Sequence, residues 1–313
     1  MSEDPEALAG VADVDLGGRT ALVTGATSGV GRETALALAR LGADVFVHGR
    51  DRRAGHETVE LIEGGAGGDP GGDGAEIGGG DATFLQGDFA DPDAVDAIAD
   101  AVRGEVDSLD LLVHNAGTHF DSGELVDAGA ERAEKTFVVN HLGPFRLTHG
   151  LRDVLEPGGR VVVVASAVHG RADGEFAVRS VDGYDGLAAY ARSKLGNVLF
   201  ARGLATRLDG RAVVSCHPGF VPGSGLWREA SLPVRLAVGG LDSLPEWLTP
   251  DRVDDAAEAA VTPVFLAASP AVADADGGYY VDCALTDPAP VARDANRRKR
   301  LWDLSEELIG LDW

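Results

Sequence analysis

Lysine is nearly missing from this sequence: Lys135, Lys194 and Lys299 are the only three in 313 residues. Basic residues of both kinds number 27 against 51 acidic ones, and the formal charge of −24 repels nucleic acid and anionic lipid. Lysine depletion beside this balance favours adaptation to a salt-rich medium, where carboxylates keep a surface hydrated and long lysine stems are scarce, over plain acidity. Cysteine is confined to Cys216 and Cys283, neither in a metal-ligand spacing, which excludes a disulfide framework and a zinc site. The histidines show no paired ligand spacing on one element, so no metal is expected. Apolar runs such as residues 161–165 are far too short to cross a bilayer. The opening MSEDPEALAGVADVDLGG has neither the basic start nor the apolar block of a secretory signal, so a cytoplasmic protein without membrane insertion is expected.

What is present is an alternation. Short β-branched runs at 20–24, 44–48, 83–86, 109–114, 160–165, 212–217 and 278–281 are separated by helical stretches. This predicts an α/β fold: a single Rossmann-type, doubly wound domain over residues 17–313, with a seven-stranded parallel sheet flanked by helices. The first helix is expected to open at Gly31 and stop at Gly42, a residue suited to a left-handed ending. Asp91-Pro92 predicts another, with Asp as N-cap, Pro in the first turn and Val95, Ile98, Val102 and Val106 as the apolar stripe. Residues 1–16 read as a loosely held acidic lead-in, and the Gly- and Asp-rich residues 63–82 as a flexible, solvated insertion.

The first strand runs into TGATSGVG, residues 24–31, and then directly into a helix. Glycines at 25, 29 and 31, with Ser28 and Val30 between them, let backbone approach a pyrophosphate at a helix N-terminus. The choice of nicotinamide cofactor is expected near the end of the second strand. There a carboxylate suits the ribose hydroxyl of NAD(H) and an arginine the phosphate of NADP(H). Arg50 stands 19 residues after Gly31, followed by Arg52 and Arg53, which favours NADP(H). NAD(H) stays possible, with Asp51 as reader and Arg50 merely on the surface.

YARSKLGN carries the chemistry. Tyr190 and Lys194 are one helical turn apart on one face. An ammonium about 4 Å from the phenol, at an effective dielectric near 20, contributes roughly 4 kcal/mol and would bring the phenol pKa from about 10 to about 7. Ser166 closes the strand VVVVAS at the end where open α/β sheets bind ligands.

TGATSGVG, then GDF (87–89), NAG (115–117), VVVVAS and YARSK follow the order and spacing that resemble the short-chain dehydrogenase/reductase family. The resemblance spans about residues 17–311. It implies that Asp88 holds the adenine with Phe89 also on the cofactor, and that Asn115, Ala116 and Gly117 line the cofactor, with His114 in place of the usual preceding asparagine. It further implies that Ser166 bonds the substrate oxygen, that Tyr190 is general acid or base, and that Lys194 lowers its pKa and binds the nicotinamide ribose. Asn140 would hold a water linking that lysine to solvent. NHLGPFRLTHGL (140–151), HPGFV (217–221, with Pro218, Gly219 and Val221 on the cofactor) and the tail LWDLSEEL resemble the retinol-dehydrogenase-like branch. Gly223, next to Ser224, replaces that branch's usual threonine. The apolar residues of 220–248 either close over a hydrophobic alcohol, aldehyde or ketone or pack a helix pair or subunit contact. A homo-oligomer through the helices of Asn140 and Tyr190 is also implied. The alternative function is a catalytically silent dinucleotide-binding module that senses redox state.

Overall fold

The computed structural model describes residues 4–65, 79–219 and 255–313. The expected substrate loop 220–248, including Val221, Gly223 and Ser224, and most of the Gly-rich insertion lie outside them. Strand β1 (Thr20–Val23) is central. It pairs in parallel with β2 (Asp44–Gly49) on one side and β4 (Leu109–His114) on the other. Beyond β2 lies β3 (Ala82–Gln86), and beyond β4 come β7 (Leu155–Val164), β8 (Ala212–His217) and β9 (Asp276–Val281), all parallel. All seven expected parallel strands are therefore present. An eighth, β10 (Ala284–Thr286), adds antiparallel to β9 through a turn whose two residues, Asp282 and Cys283, are both left-handed, with φ of 47° and 61°. A separate hairpin pairs β5 (Leu125–Asp127) with β6 (Arg132–Glu134).

Strand side chains alternate between two cores, as a doubly wound sheet requires. Ala21, Val23, Leu111, Val113, Val162, Val164 and Val214 pack on α2 (Gly29–Arg40) and the helix Ala256–Ala268. Leu22, Leu112, Val161, Val163 and Val213 face the other way, towards α4 (Pro92–Glu105) and the helices that carry the chemistry. Asp91 caps α4 by accepting from the Asp93 amide, and Val95, Ile98 and Val102 are buried as expected. The N-terminal segment is not loose: Glu6 is buried and accepts two bonds from Arg40 at 2.5 and 2.8 Å, and Val11 and Leu16 enter the core. Charge composition hid this, because one buried carboxylate paired with a guanidinium anchors an otherwise acidic stretch.

The longest helix among the described residues, α7 (Gly186–Ala205), has 14 of its 20 residues buried, around most of its circumference. Such a helix must be enclosed. The sheet covers one face, and the C-terminal helix (Ala295–Ile309) covers another, where Trp302 packs on Phe145 and Phe200 and the Arg207 guanidinium lies 3.7 Å over its ring. The chain's own tail thus covers part of the Asn140 and Tyr190 helices, through which another copy was expected to pack. No helix among the described residues is long and apolar enough to cross a membrane.

Candidate active site

The C-terminal ends of β1, β4, β7 and β8 meet at one edge of the sheet, and Thr24 ties two of them together. Its hydroxyl accepts from the amides of Asn115 and Ala116 at 3.0 and 3.1 Å, while Asn115 Nδ2 donates to the carbonyls of Thr24 and Gly25 at 3.0 and 3.3 Å. The TGATSGVG turn and the NAG loop are therefore one rigid unit. This packing accounts for two of the glycines more directly than contact with a ligand does. A Cβ at Gly25 would lie 2.8 Å from Ala116 Cα, and one at Gly31 would lie 2.2 Å from Asn115 Nδ2. Gly29 adopts a φ of 56°. Ser28 is the N-cap residue of α2, yet its side chain makes no capping bond. The first-turn amides beside the partly exposed Gly25, Ser28, Gly29 and Val30 thus have the character of an anion site. The helix opens two residues before the expected Gly31, so the turn and the helix start overlap.

Arg50 follows β2, and its guanidinium lies 3.8 Å from the Asp88 carboxylate, both half-exposed. Asp51 is engaged elsewhere: its carboxylate accepts from the Ala54 amide at 3.1 Å at the start of the helix Arg52–Gly65. Phe89, expected on the cofactor, turns its side chain away from the cleft. Its side chain is core, stacked 4.7 Å from the His48 ring, and only its backbone remains for a cofactor. His114 also turns inward, to Thr148 Oγ1 at 2.7 Å, and burial lowers its pKa to about 3.

Asn140 lies within a π-helical turn, Val138–Leu142, between two α-helical pieces, Lys135–Phe137 and Gly143–Leu151. Single π turns often mark functional sites. The Asn140 side chain is fully buried and brackets Thr118, accepting from its amide at 2.8 Å and donating to its carbonyl at 2.9 Å, with a further bond to Ser193 Oγ at 3.0 Å. Ser193 in turn donates to the Tyr190 carbonyl at 2.8 Å, so Asn140 holds both the loop after NAG and the helix of Tyr190. Gly117 is hemmed in by this group: a Cβ there would meet Lys194 Nζ at 3.1 Å and Asn140 Oδ1 at 3.6 Å.

Tyr190 and Lys194 are both buried on α7. The ammonium donates to the Val164 carbonyl at 3.1 Å and lies 5.7 Å from the centre of the Tyr190 ring. Ser166 lies just past the end of β7, where its hydroxyl accepts from the Val168 amide at 3.4 Å and is near enough to the Tyr190 phenol to act on its titration. Burial pushes the phenol pKa up, with the nearby Ser166 hydroxyl opposing, and burial lowers the Lys194 pKa to about 8. The expected phenol pKa near 7 is therefore corrected: the lysine turns to a carbonyl, and loss of water outweighs its field. Pro218 and Gly219 close β8, Gly219 with a φ of 103°.

Three contributors were missed from sequence. Thr24 and Ser193 stand inside quoted motifs, and a hydroxyl next to a turn or one turn along a helix was the available signal. A third, His119, lies edge-on to Tyr190 at 6.1 Å and 2.7 Å from Asp121, and nothing in the sequence marked it. Among the described residues no cluster of His, Cys, Asp and Glu could hold a metal.

The family model described as short chain dehydrogenase matches residues 19–232. Retinol dehydrogenase 14 of Mus musculus is 36% identical over 307 residues, covering 94% of this chain and 86% of that protein. Polyprenol dehydrogenase of Mus musculus is 37% identical over 304 residues, covering 94% and 84%. A short chain dehydrogenase from Burkholderia cenocepacia, solved in complex with NADP, superposes with a TM-score of 0.63 at 25% identity, covering 84% and 96%. The chain belongs to the short-chain dehydrogenase/reductase family, with retinol-dehydrogenase-like relatives, and is an oxidoreductase of the alcohol dehydrogenase and carbonyl reductase class.

Proposed function

We propose that this chain is an NADP(H)-dependent enzyme that interconverts a hydrophobic alcohol and its aldehyde or ketone, with residues 17–313 as one catalytic domain and Tyr190 as the proton-transfer group. The observation that carries it is the buried pair of Tyr190 and Lys194, one turn apart on α7 with the ammonium 5.7 Å from the phenol ring centre, beside Ser166 at the C-terminal edge of the sheet. The uncapped start of α2, the turn made by Gly25, Ser28, Gly29, Val30 and Gly31, and the loop of Asn115, Ala116 and Gly117 would hold the cofactor. When bound, it supplies or accepts the hydride.

The protein's own groups do the rest. Ser166 orients the substrate oxygen, and Tyr190 gives it a proton in reduction or removes one in oxidation. Because burial keeps the phenol protonated at neutral pH, the acid needed for carbonyl reduction is the form already present. Lys194 fills the floor of the site with positive charge, and Asn140 fixes the loop and helix between which it lies. Arg50 is the group for a 2′-phosphate, and the engagement of Asp51 in a helix start supports that reading over NAD(H). The names of the retinol and polyprenol relatives, together with the apolar composition of 220–248, support a hydrophobic substrate.

A panel of hydrophobic aldehydes and ketones with NADPH and NADH at high salt tests this by loss of absorbance. Turnover with a higher kcat/KM for NADPH is expected, and Tyr190→Phe should lower kcat by about 10²–10⁴-fold. A preference for NADH would overturn the cofactor assignment. No turnover in the parent, or none lost in Tyr190→Phe, would favour the silent binding module.

A further inference from the structure

His169 lies three residues beyond Ser166, in the short 3-10 turn Ala167–Arg171, and is 4% exposed. Its Nδ1 is 2.7 Å from the Ser166 carbonyl oxygen, and its Nε2 is 3.0 Å from the backbone nitrogen of Ala289. The Ala289 amide can only donate, so Nε2 is the unprotonated acceptor. Nδ1 then carries the proton and donates to the Ser166 carbonyl. Both ring nitrogens are thereby used, and one neutral tautomer joins Ser166 to a segment 120 residues from the histidine. The approach is close: a Cβ at Gly170 would lie 3.2 Å from Ala289 Cβ. Ala289 leads into the 3-10 turn Pro290–Arg293 and then into the C-terminal helix, so the bridge runs from the reacting edge of the sheet to the tail.

We propose that His169 is a positioning residue for the carbonyl chemistry, a donor-acceptor bridge that holds Ser166 against the Ala289 strap and releases it on protonation. This rests on the role given to Ser166 above. An imidazolium would present N–H to the N–H of Ala289, so the proton breaks one of the two bonds. The groups facing His169 do not hold a proton on it. Tyr279 of β9 packs edge-on at 5.0 Å and is kept neutral by burial. His217 at the end of β8 has its own pKa lowered, by burial first, with Asp282 opposing and His169 and Lys194 adding to the effect. Burial also lowers the pKa of His169, with only the Ser166 carbonyl opposing. The neutral bridge therefore persists at neutral pH and opens on the acid side of the ordinary imidazole value.

The test compares His169→Gln, whose amide both donates and accepts, with His169→Leu, which does neither. In the cofactor-free protein, backbone hydrogen exchange in the peptide containing Ala289 should accelerate in His169→Leu and stay parental in His169→Gln. In turnover, His169→Leu should lose about 10-fold in kcat, some 1.4 kcal/mol, with KM for NADPH unchanged. His169→Gln should keep kcat within about 3-fold and lose the parental acid limb of the pH profile. Parental exchange or kcat in His169→Leu would overturn the proposal. So would an acid limb that survives in His169→Gln, and this arm decides the matter even where the leucine variant does not fold. Tyr190→Phe serves as the control. Its loss of turnover with parental exchange separates failure of the bridge from failure of the catalytic reading.

Discussion

Lys194 shows how far a single residue can be read. Its rarity marked it, and its place is a buried niche between Gly117 and the Val164 carbonyl that suits a compact ammonium better than a planar guanidinium. Its effect on Tyr190 was not legible, because a Coulomb argument from spacing does not contain the cost of removing water from both groups. Desolvation has a second consequence here. His48 has its pKa lowered to about 4, and His114 and His141 to about 3, in each case by burial first. All three are neutral when folded, whereas in the unfolded chain each takes a proton near pH 6.5. Their contribution to stability is complete above pH 6.5 and is lost as pH falls through the window down to 4–3, at about 1.4 kcal/mol per site per pH unit. His114→Asn, which restores the asparagine usual in the family, should shrink the fall in Tm between pH 7 and pH 5 by removing about 2 kcal/mol of this loss. An identical fall in parent and variant would refute the assignment of His114 as neutral.

Glycines separate packing from propensity at the level of the element. Gly203 faces Trp302, and a Cβ there would lie 2.8 Å from Trp302 Cε3, against a ring wedged between Phe145, Phe200 and Arg207. Gly104, in α4, has nothing within 4 Å. Gly203→Ala should therefore cost about 1–3 kcal/mol by overpacking, while Gly104→Ala should gain about 0.5–1 kcal/mol from helix propensity. Urea unfolding measures both, and equal signs would show that the tail does not press on α7 as described. The elements that sequence revealed were those with a physical signature: β-branched runs for the seven parallel strands, and Asp-Pro with an apolar stripe for α4. The hairpin β5–β6 and strand β10 escaped because three residues are too few for alternation to register. The π turn at Asn140 escaped because one extra residue in a helix leaves no periodic trace, although Asn140 itself was read from its motif.

For the whole molecule, the charge of −24 is a source of self-repulsion that salt should screen. Screening shortens from about 10 Å at 0.1 M salt to about 3 Å at 1 M, which relieves self-repulsion among surface carboxylates. Tm should climb between 0.1 and 2 M KCl, and a flat response would return the composition to plain acidity. The lock formed by Thr24 and Asn115 has a consequence in time. It joins residues 91 positions apart, and the reacting residues come from still later strands and helices, so ordering this edge waits for distant loops to close. A growing chain that has produced the glycine turn has half a cradle, and one that has reached His114 still lacks Ser166 and Tyr190. Competence should therefore arrive late, and a chain cut before α7 should show no turnover.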